Sequence, residues 1–189
     1  MIRFLQFFKE QTKLGEGGNR IVYDAGDNKV LKVAKNETGI VQNKEEANPK
    51  YQRYKAVPRV FEVSDDYKWI KSEKADTVGP NRLQQLLGIK DMNDLKTYLL
   101  IKKSNNTNLS SYTRKLVDLL DNNSNVQDIV KLVFENNLVI TDVCRLSSFG
   151  VINRDGKPYV VVIDYGLNEQ DYAKHYKSKR DIRRQMYGY

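Results

Sequence analysis

The sequence predicts an α+β chain, with an antiparallel five-stranded sheet carrying one helix and then a reduced helical half. Three observations predict it. Short β-type runs separated by Gly, Asn and Asp turns occupy residues 11 to 71, the apolar period changes from two to a helical one near Asp76, and a late apolar hairpin ends on an acid. At 189 residues the chain can bury a core without disulfides or a structural metal, since folding at this size hides roughly 70% of the unfolded surface.

The first apolar run, Ile2 to Phe8, is interrupted by Arg3 and Gln6 and closed by Lys9-Glu10, so it does not read as a secretion signal. No later run approaches the roughly 18 residues of a membrane span, and a lone cysteine suits a reducing compartment, so the expectation is a cytoplasmic protein without a membrane partner. Thr12-Lys13-Leu14, Arg20 to Tyr23 and Lys29 to Ala34 read as three strands joined by the turns Gly15 to Asn19 and Ala25 to Asn28. A helix is expected between Asn36 and Tyr54, ended or bent by Pro49. Val60 to Val63 and Tyr67 to Lys71, flanking Ser64-Asp65-Asp66, supply two further strands.

From Asp76 to Asn137 the apolar positions follow helical spacing: Leu95, Tyr98 and Leu99, then Tyr112, Leu116, Leu119 and Leu120, then Val126, Ile129, Val130 and Val133. Ser124 with Gln127 three residues on predicts a capping box for the last of these helices, and Asn136-Asn137 its stop. A second hairpin is expected from Phe149–Ile152 and Tyr159–Ile163, with Asp155-Gly156 in its turn. Glu169 to Tyr189 is expected to form a charged helix whose Tyr172, Tyr176 and Ile182 pack inward.

The net charge of +8 is concentrated: Lys174 to Arg184 holds six basic residues and one acid, a surface for an acidic protein partner or for nucleic acid through Tyr172, His175, Tyr176, Arg180, Arg183 and Arg184. One Cys and one His exclude clustered zinc sites and leave Cys144 with His175 as the remaining Cys–His pairing.

Four chemistry-bearing features stand in a fixed order: a Gly-rich hairpin, a lysine on the following strand, an acid on the next helix, and an Asp-x-Gly closing a late strand. A hairpin presenting backbone N–H groups can cover phosphates, which a nearby lysine neutralises. In this order the chain resembles the protein-kinase-like superfamily, over nearly its whole length. Leu14-Gly15-Glu16-Gly17-Gly18-Asn19-Arg20-Ile21-Val22-Tyr23 is similar to the family's phosphate loop, with Arg20 in place of the third glycine. Val30-Leu31-Lys32-Val33 is similar to the strand bearing the ATP-pairing lysine; Lys32 is the candidate and Lys35, on the other face, the alternative. Glu46 is the candidate partner and Glu45 the alternative, at most one of the two, because they sit about 100° apart on a helix. The resemblance further implies adenine contacts from the backbone of Glu73 and Ala75, and Mg²⁺ on Asp164 of Val160-Val161-Val162-Ile163-Asp164-Tyr165-Gly166.

Asp142 matches the family's base aspartate, with Ile140-Thr141 where His and Arg are usual, and Ser147 takes the place of a second Mg²⁺ ligand, normally Asn. Arg145 is a candidate γ-phosphate contact. Only 23 residues follow Gly166, too few for an activation segment and a large helical subdomain. The resemblance thus implies a bilobal kinase-like fold, with an N-lobe over residues 1–75 and a reduced C-lobe over residues 76–189. The spelling around Lys32 to Asn36, Gln42-Asn43 and Asp164 to Leu167 is similar to compact kinase-like proteins of bacteriophages and bacteria. Three functions follow as expectations: an ATP–Mg²⁺ phosphotransferase, a pseudokinase acting as scaffold, regulator or phage virion component, and a basic nucleic-acid-binding module.

Overall fold

In the computed structural model the described residues are 12–104 and 107–165; Gly166 and the expected tail helix lie outside them. The sheet is built from β1 (Lys13–Glu16), β2 (Arg20–Asp24), β3 (Lys29–Ala34), β4 (Val60–Val63) and β5 (Trp69–Glu73), ordered β1-β2-β3-β5-β4 with every pairing antiparallel. Gly26, Asp27 and Asn28 take φ values of 72°, 48° and 56° in the β2–β3 turn. These are the residue types that tolerate the left-handed region, so the tight reversal there is written in the sequence. β5 ends two residues later than the sequence suggested and so carries the chain to Glu73.

Helix α1 (Glu37–Glu46) follows β3 and packs on β3 and β5, starting where the Asn36 side chain accepts the Gly39 amide. The expected single helix is divided here. Ala47 closes α1, and Asn48 caps the short α2 (Pro49–Gln52), so Pro49 begins a helix rather than ending one. A proline at the first helical position sacrifices no intrahelical hydrogen bond.

The second half contains α3 (Pro80–Leu87), α4 (Met92–Ser104), α5 (Ser111–Asp121), α6 (Ser124–Glu135), the short α7 (Ile140–Val143), a 3-10 turn (Leu146–Ser148) and the hairpin β6 (Phe149–Arg154) to β7 (Lys157–Val162). Asp155 and Gly156, at φ 52° and 74°, form the expected hairpin turn. One apolar cluster holds this half together, with Leu83, Leu95, Tyr98, Leu99, Leu120, Ile129 and Leu132 fully buried. It extends to Tyr51, Tyr54, Ala56 and Val57 and so ties the region around α2 to the helices. Two expectations fail here. Tyr112 and Leu119 are exposed, because α5 turns Leu116 and Leu120, with Val117 beside them, toward the cluster and Tyr112 reaches Asp94 through its hydroxyl. Nor is Ser124 the cap of α6: Asn123 accepts the Val126 amide, and Gln127 donates instead to the Tyr98 hydroxyl and the Leu120 carbonyl.

The outcome is α+β and bilobal, a five-stranded antiparallel sheet with two helices, one of them short, after its third strand and a small helical lobe. That is the kinase-like arrangement implied by the resemblance.

Candidate functional site

A cleft of ≈ 450 Å³ opens between the sheet and the segment leaving β5, lined by Leu14, Gly15, Arg20, Val22, Val30, Lys32, Pro58, Glu73 to Thr77 and Ile163. Strand alternation decides which side chains enter it. Val22 lies opposite Lys32, and Val30 is two residues from Lys32, so all three share a face.

Lys32 is buried at its back, donating to Glu46 Oε2 at 2.6 Å and lying 3.5 Å from the Ile163 carbonyl. Lys35 points the other way, pairing with Glu16 and with the Gly17 carbonyl on the exposed side. Of the two candidate acids near the end of α1, Glu46 faces the cleft lysine, whereas Glu45 lies 3.2 Å from Lys50. Arg20 Nη1 is 2.6 Å from the other carboxylate oxygen, Oε1. One carboxylate therefore bridges two cations. Burial alone would raise the Glu46 pKa, but the Arg20 and Lys32 charges hold it below the ordinary 4.5. Burial, and to a smaller degree Arg20, lowers the Lys32 pKa against the pull of Glu46 and Asp164.

Asp164 is exposed, two residues beyond the buried end of β7. Tyr165 behind it is buried, with its ring edge-to-face on Tyr51 at 5.1 Å between centroids and its hydroxyl donating to the Glu46 carbonyl at 3.4 Å. The Asp-Tyr pair thus anchors one residue in the core and leaves the acid outside. Asp142 sits in α7 and is held by Arg145 through an ion pair. The Ser148 hydroxyl donates to the Asp142 carbonyl at 2.8 Å, and the Ile163 amide donates to the Ser148 carbonyl at 2.8 Å, so the Asp142 segment is docked on the strand end that carries Asp164. Ser147 is exposed in the 3-10 turn. Asp142, Arg145 and Ser147 are not among the residues lining the cleft, nor are Gly17 and Gly18. The Gly17 amide is turned into its own hairpin, donating to the Arg20 carbonyl at 2.9 Å.

At the other end of the cleft, Glu73 is fixed from the side by Arg154, whose guanidinium also donates to the carbonyls of Lys55 and Val57 at 2.8 Å each. Ala75 follows, and among the described residues its backbone amide has no hydrogen-bond partner. No cluster of three or more His, Cys, Asp or Glu that could hold a metal occurs among the described residues. Burial pushes the Cys144 thiol up to about 12, which leaves it protonated at neutral pH and unsuited to nucleophilic work; His175 lies outside the described residues, as do the basic tail positions.

Arg20 and Arg154 escaped the sequence reading. For Arg20 a signal existed, since alternation from Val22 places it two residues along the cleft face. Arg154 gave none, because its partners are carbonyls and an acid 81 to 99 residues away.

No protein-family model and no curated protein matches the sequence. Among the described residues no helix is long and apolar enough to cross a membrane. Among solved structures the chain is similar to APH(2")-IIa in a ternary complex with streptomycin and ATP, at 14% identity and a TM-score of 0.40, over 87% of this chain and 70% of that one. It is also similar to APH(2")-IIia in complex with GDP and kanamycin, at 15% identity and a TM-score of 0.42, over 87% of this chain and 71% of that one.

Proposed function

We propose that the chain is an ATP–Mg²⁺-binding, kinase-like phosphotransferase whose nucleotide lies in the cleft between an N-lobe of residues 1–75 and a C-lobe of residues 76–189. The observation that carries the reading is the buried Lys32–Glu46 pair at the back of a cleft lined by Ile163, the residue that precedes the exposed Asp164. A lysine hidden from water is held ionised by an acid until an anion arrives, and a triphosphate supplies that anion. The unpartnered Ala75 amide suits a base acceptor nitrogen, and the adjoining Glu73 is immobilised by Arg154. Gly15, on β1, borders the region where phosphates would lie, and Gly17 and Gly18 shape the turn beyond it.

The residues present fit Mg²⁺ in the mode in which phosphate oxygens and water complete the coordination around one or two protein ligands. Asp164 would hold the ion and Ser147 would assist; when bound, the ion neutralises phosphate charge. Asp142 orients an acceptor hydroxyl and takes its proton, and Arg145 holds that carboxylate in place until the γ-phosphate competes for it. A second reading, a pseudokinase serving as scaffold, regulator or phage virion component, is favoured by one observation: Ser147, exposed and not among the residues lining the cleft, stands where a carboxamide ligand is usual.

Calorimetric titration with ATP, with and without Mg²⁺, followed by phosphate transfer to a cell extract, separates the readings. Asp164→Ala should abolish the Mg²⁺-dependent part of binding, while Asp142→Ala should leave affinity within a few-fold and remove transfer, because a metal ligand acts in the ground state and a base acts on the acceptor. Equal losses of affinity contradict these roles, binding without transfer selects the scaffold, and absence of binding removes the nucleotide reading.

A further inference from the structure

The departure at Arg20, where a glycine is expected, changes the charge of the cleft. Its side chain is only 12% exposed, it lines the cleft on the face shared with Val22 and Lys32, and the single Glu46 carboxylate serves both cations, one on each oxygen at 2.6 Å. Two buried positive charges on one negative charge leave an excess that is costly unless another anion completes it. Asp164, the remaining acid beside Lys32, is exposed.

The guanidinium is also poorly satisfied. It has five N–H donors in a fixed fork. Among the described residues its side-chain contacts are made by one nitrogen, Nη1, which lies 3.4 Å from Asn43 Oδ1. The same nitrogen meets Glu46 Oε1 at 2.6 Å, so both contacts fall on one arm of the fork. A planar fork with free donors, a surplus charge and access to a cleft suits the tetrahedral oxygens of a phosphate.

We propose that Arg20 is a second phosphate-binding cation of this cleft, contacting the nucleotide's phosphates beside Lys32 and sharing Glu46 with it when the cleft is empty. This rests on the nucleotide reading above and adds a contact that the third glycine of a phosphate loop cannot make. A consequence follows for Lys32, which no longer carries the phosphate charge alone.

The test is calorimetric titration of the full chain with adenosine, ADP and ATP in the presence of Mg²⁺. Arg20→Gln should weaken ADP and ATP by roughly ten- to a hundredfold, the size of one lost charge-assisted contact, and leave adenosine unchanged. Arg20→Lys should recover part of the loss. Lys32→Met should retain measurable ADP binding, and the Arg20→Gln, Lys32→Met double variant should bind ADP no better than adenosine. Unchanged ADP and ATP affinity in Arg20→Gln overturns the inference alone, as does an equal loss for adenosine, which would mean that Arg20 only shapes the cleft. An unaltered chain that binds no nucleotide overturns the underlying reading and this inference together. A measurement independent of folded variants is phenylglyoxal modification of Arg20 in the native chain, followed by peptide mapping. ATP should slow it and adenosine should not; equal rates with both overturn the proposal.

Discussion

At the scale of single residues, Glu46 is the pivot of the site, because it is the acid on which Lys32 and Arg20 converge. Its pKa is held below 4.5 in the folded chain, so it contributes stability that is present above that value and is lost as pH falls through the depressed folded value. Thermal unfolding followed between pH 7 and pH 3 should therefore show Tm falling below about pH 4.5. Glu46→Gln, which keeps the shape and removes the charge, should lower stability by about 3–5 kcal/mol at pH 7, the usual cost of stranding a buried partner. It should also flatten the acid limb. A variant that keeps the full acid dependence would assign that dependence to other carboxylates, Glu73 first, whose pKa is also lowered: burial opposes this, and Arg154 and the Arg59 amide outweigh it. Lys32 was legible from strand alternation, but whether Glu45 or Glu46 meets it was not. Adjacent helical positions differ by about 100°, and only the packing of α1 on the sheet picks one.

At the scale of an element, α6 shows how a sequence signature and its physical execution can part. Ser124 and Gln127 have capping-box spacing, yet the cap is one residue earlier. Asn123 both accepts the Val126 amide at 3.2 Å and donates to the Leu86 carbonyl at 3.0 Å, joining α6 to the end of α3. An Asn side chain does this with two separate atoms, its oxygen accepting and its nitrogen donating, and reaches farther than a serine hydroxyl, whose single oxygen would have to meet both partners. Asn123→Ala should therefore cost about 1–2 kcal/mol in urea unfolding, and Ser124→Ala a few tenths at most. The reverse ranking would restore the box. The existence and period of α6 were legible in Val126, Ile129 and Val133, all buried. The start was not, because Asn123 gains its advantage from a carbonyl 37 residues away.

At the scale of the whole molecule, the sheet and the helical half are joined through the segment after β5. Asp76 and Val151 exchange backbone hydrogen bonds at 2.9 and 3.0 Å, and Gly150 lies so close to Ala75 that a Cβ added there would come within 2.7 Å of the alanine methyl. Arg154 completes the join, with its side chain 9% exposed and Glu73 12% exposed. Truncating one side of such a pair strands the other in a poorly hydrated place. Arg154→Ala should accordingly cost about 3–5 kcal/mol, and a double-mutant cycle with Glu73→Ala should return a coupling energy of at least about 1 kcal/mol. Additive losses would show that the two halves are joined by the backbone and apolar contacts alone. Because Glu73 and Ala75 border the cleft, the same substitution should also weaken nucleotide binding if the cleft holds the base there.

What the sequence determined by itself was everything that depends on near neighbours: strands from period-two runs, the Gly26-Asp27-Asn28 and Asp155-Gly156 reversals, the helical period after Asp76, and the face on which Lys32 lies. These are local because φ/ψ preference and side-chain alternation act over a few residues. The tertiary structure alone decided the choice of Glu46, the entry of Arg20 into the same ion cluster, the Arg154 tie to Glu73, and the docking of the Asp142 segment on Ile163 through Ser148. Each joins residues from 14 to more than 80 positions apart, apart from the Ser148 hydroxyl bond to Asp142 within that docked turn. Whether a charged side chain is solvated or buried against a partner depends on desolvation and Coulomb energy summed over elements that meet only on folding, and no local pattern encodes that sum.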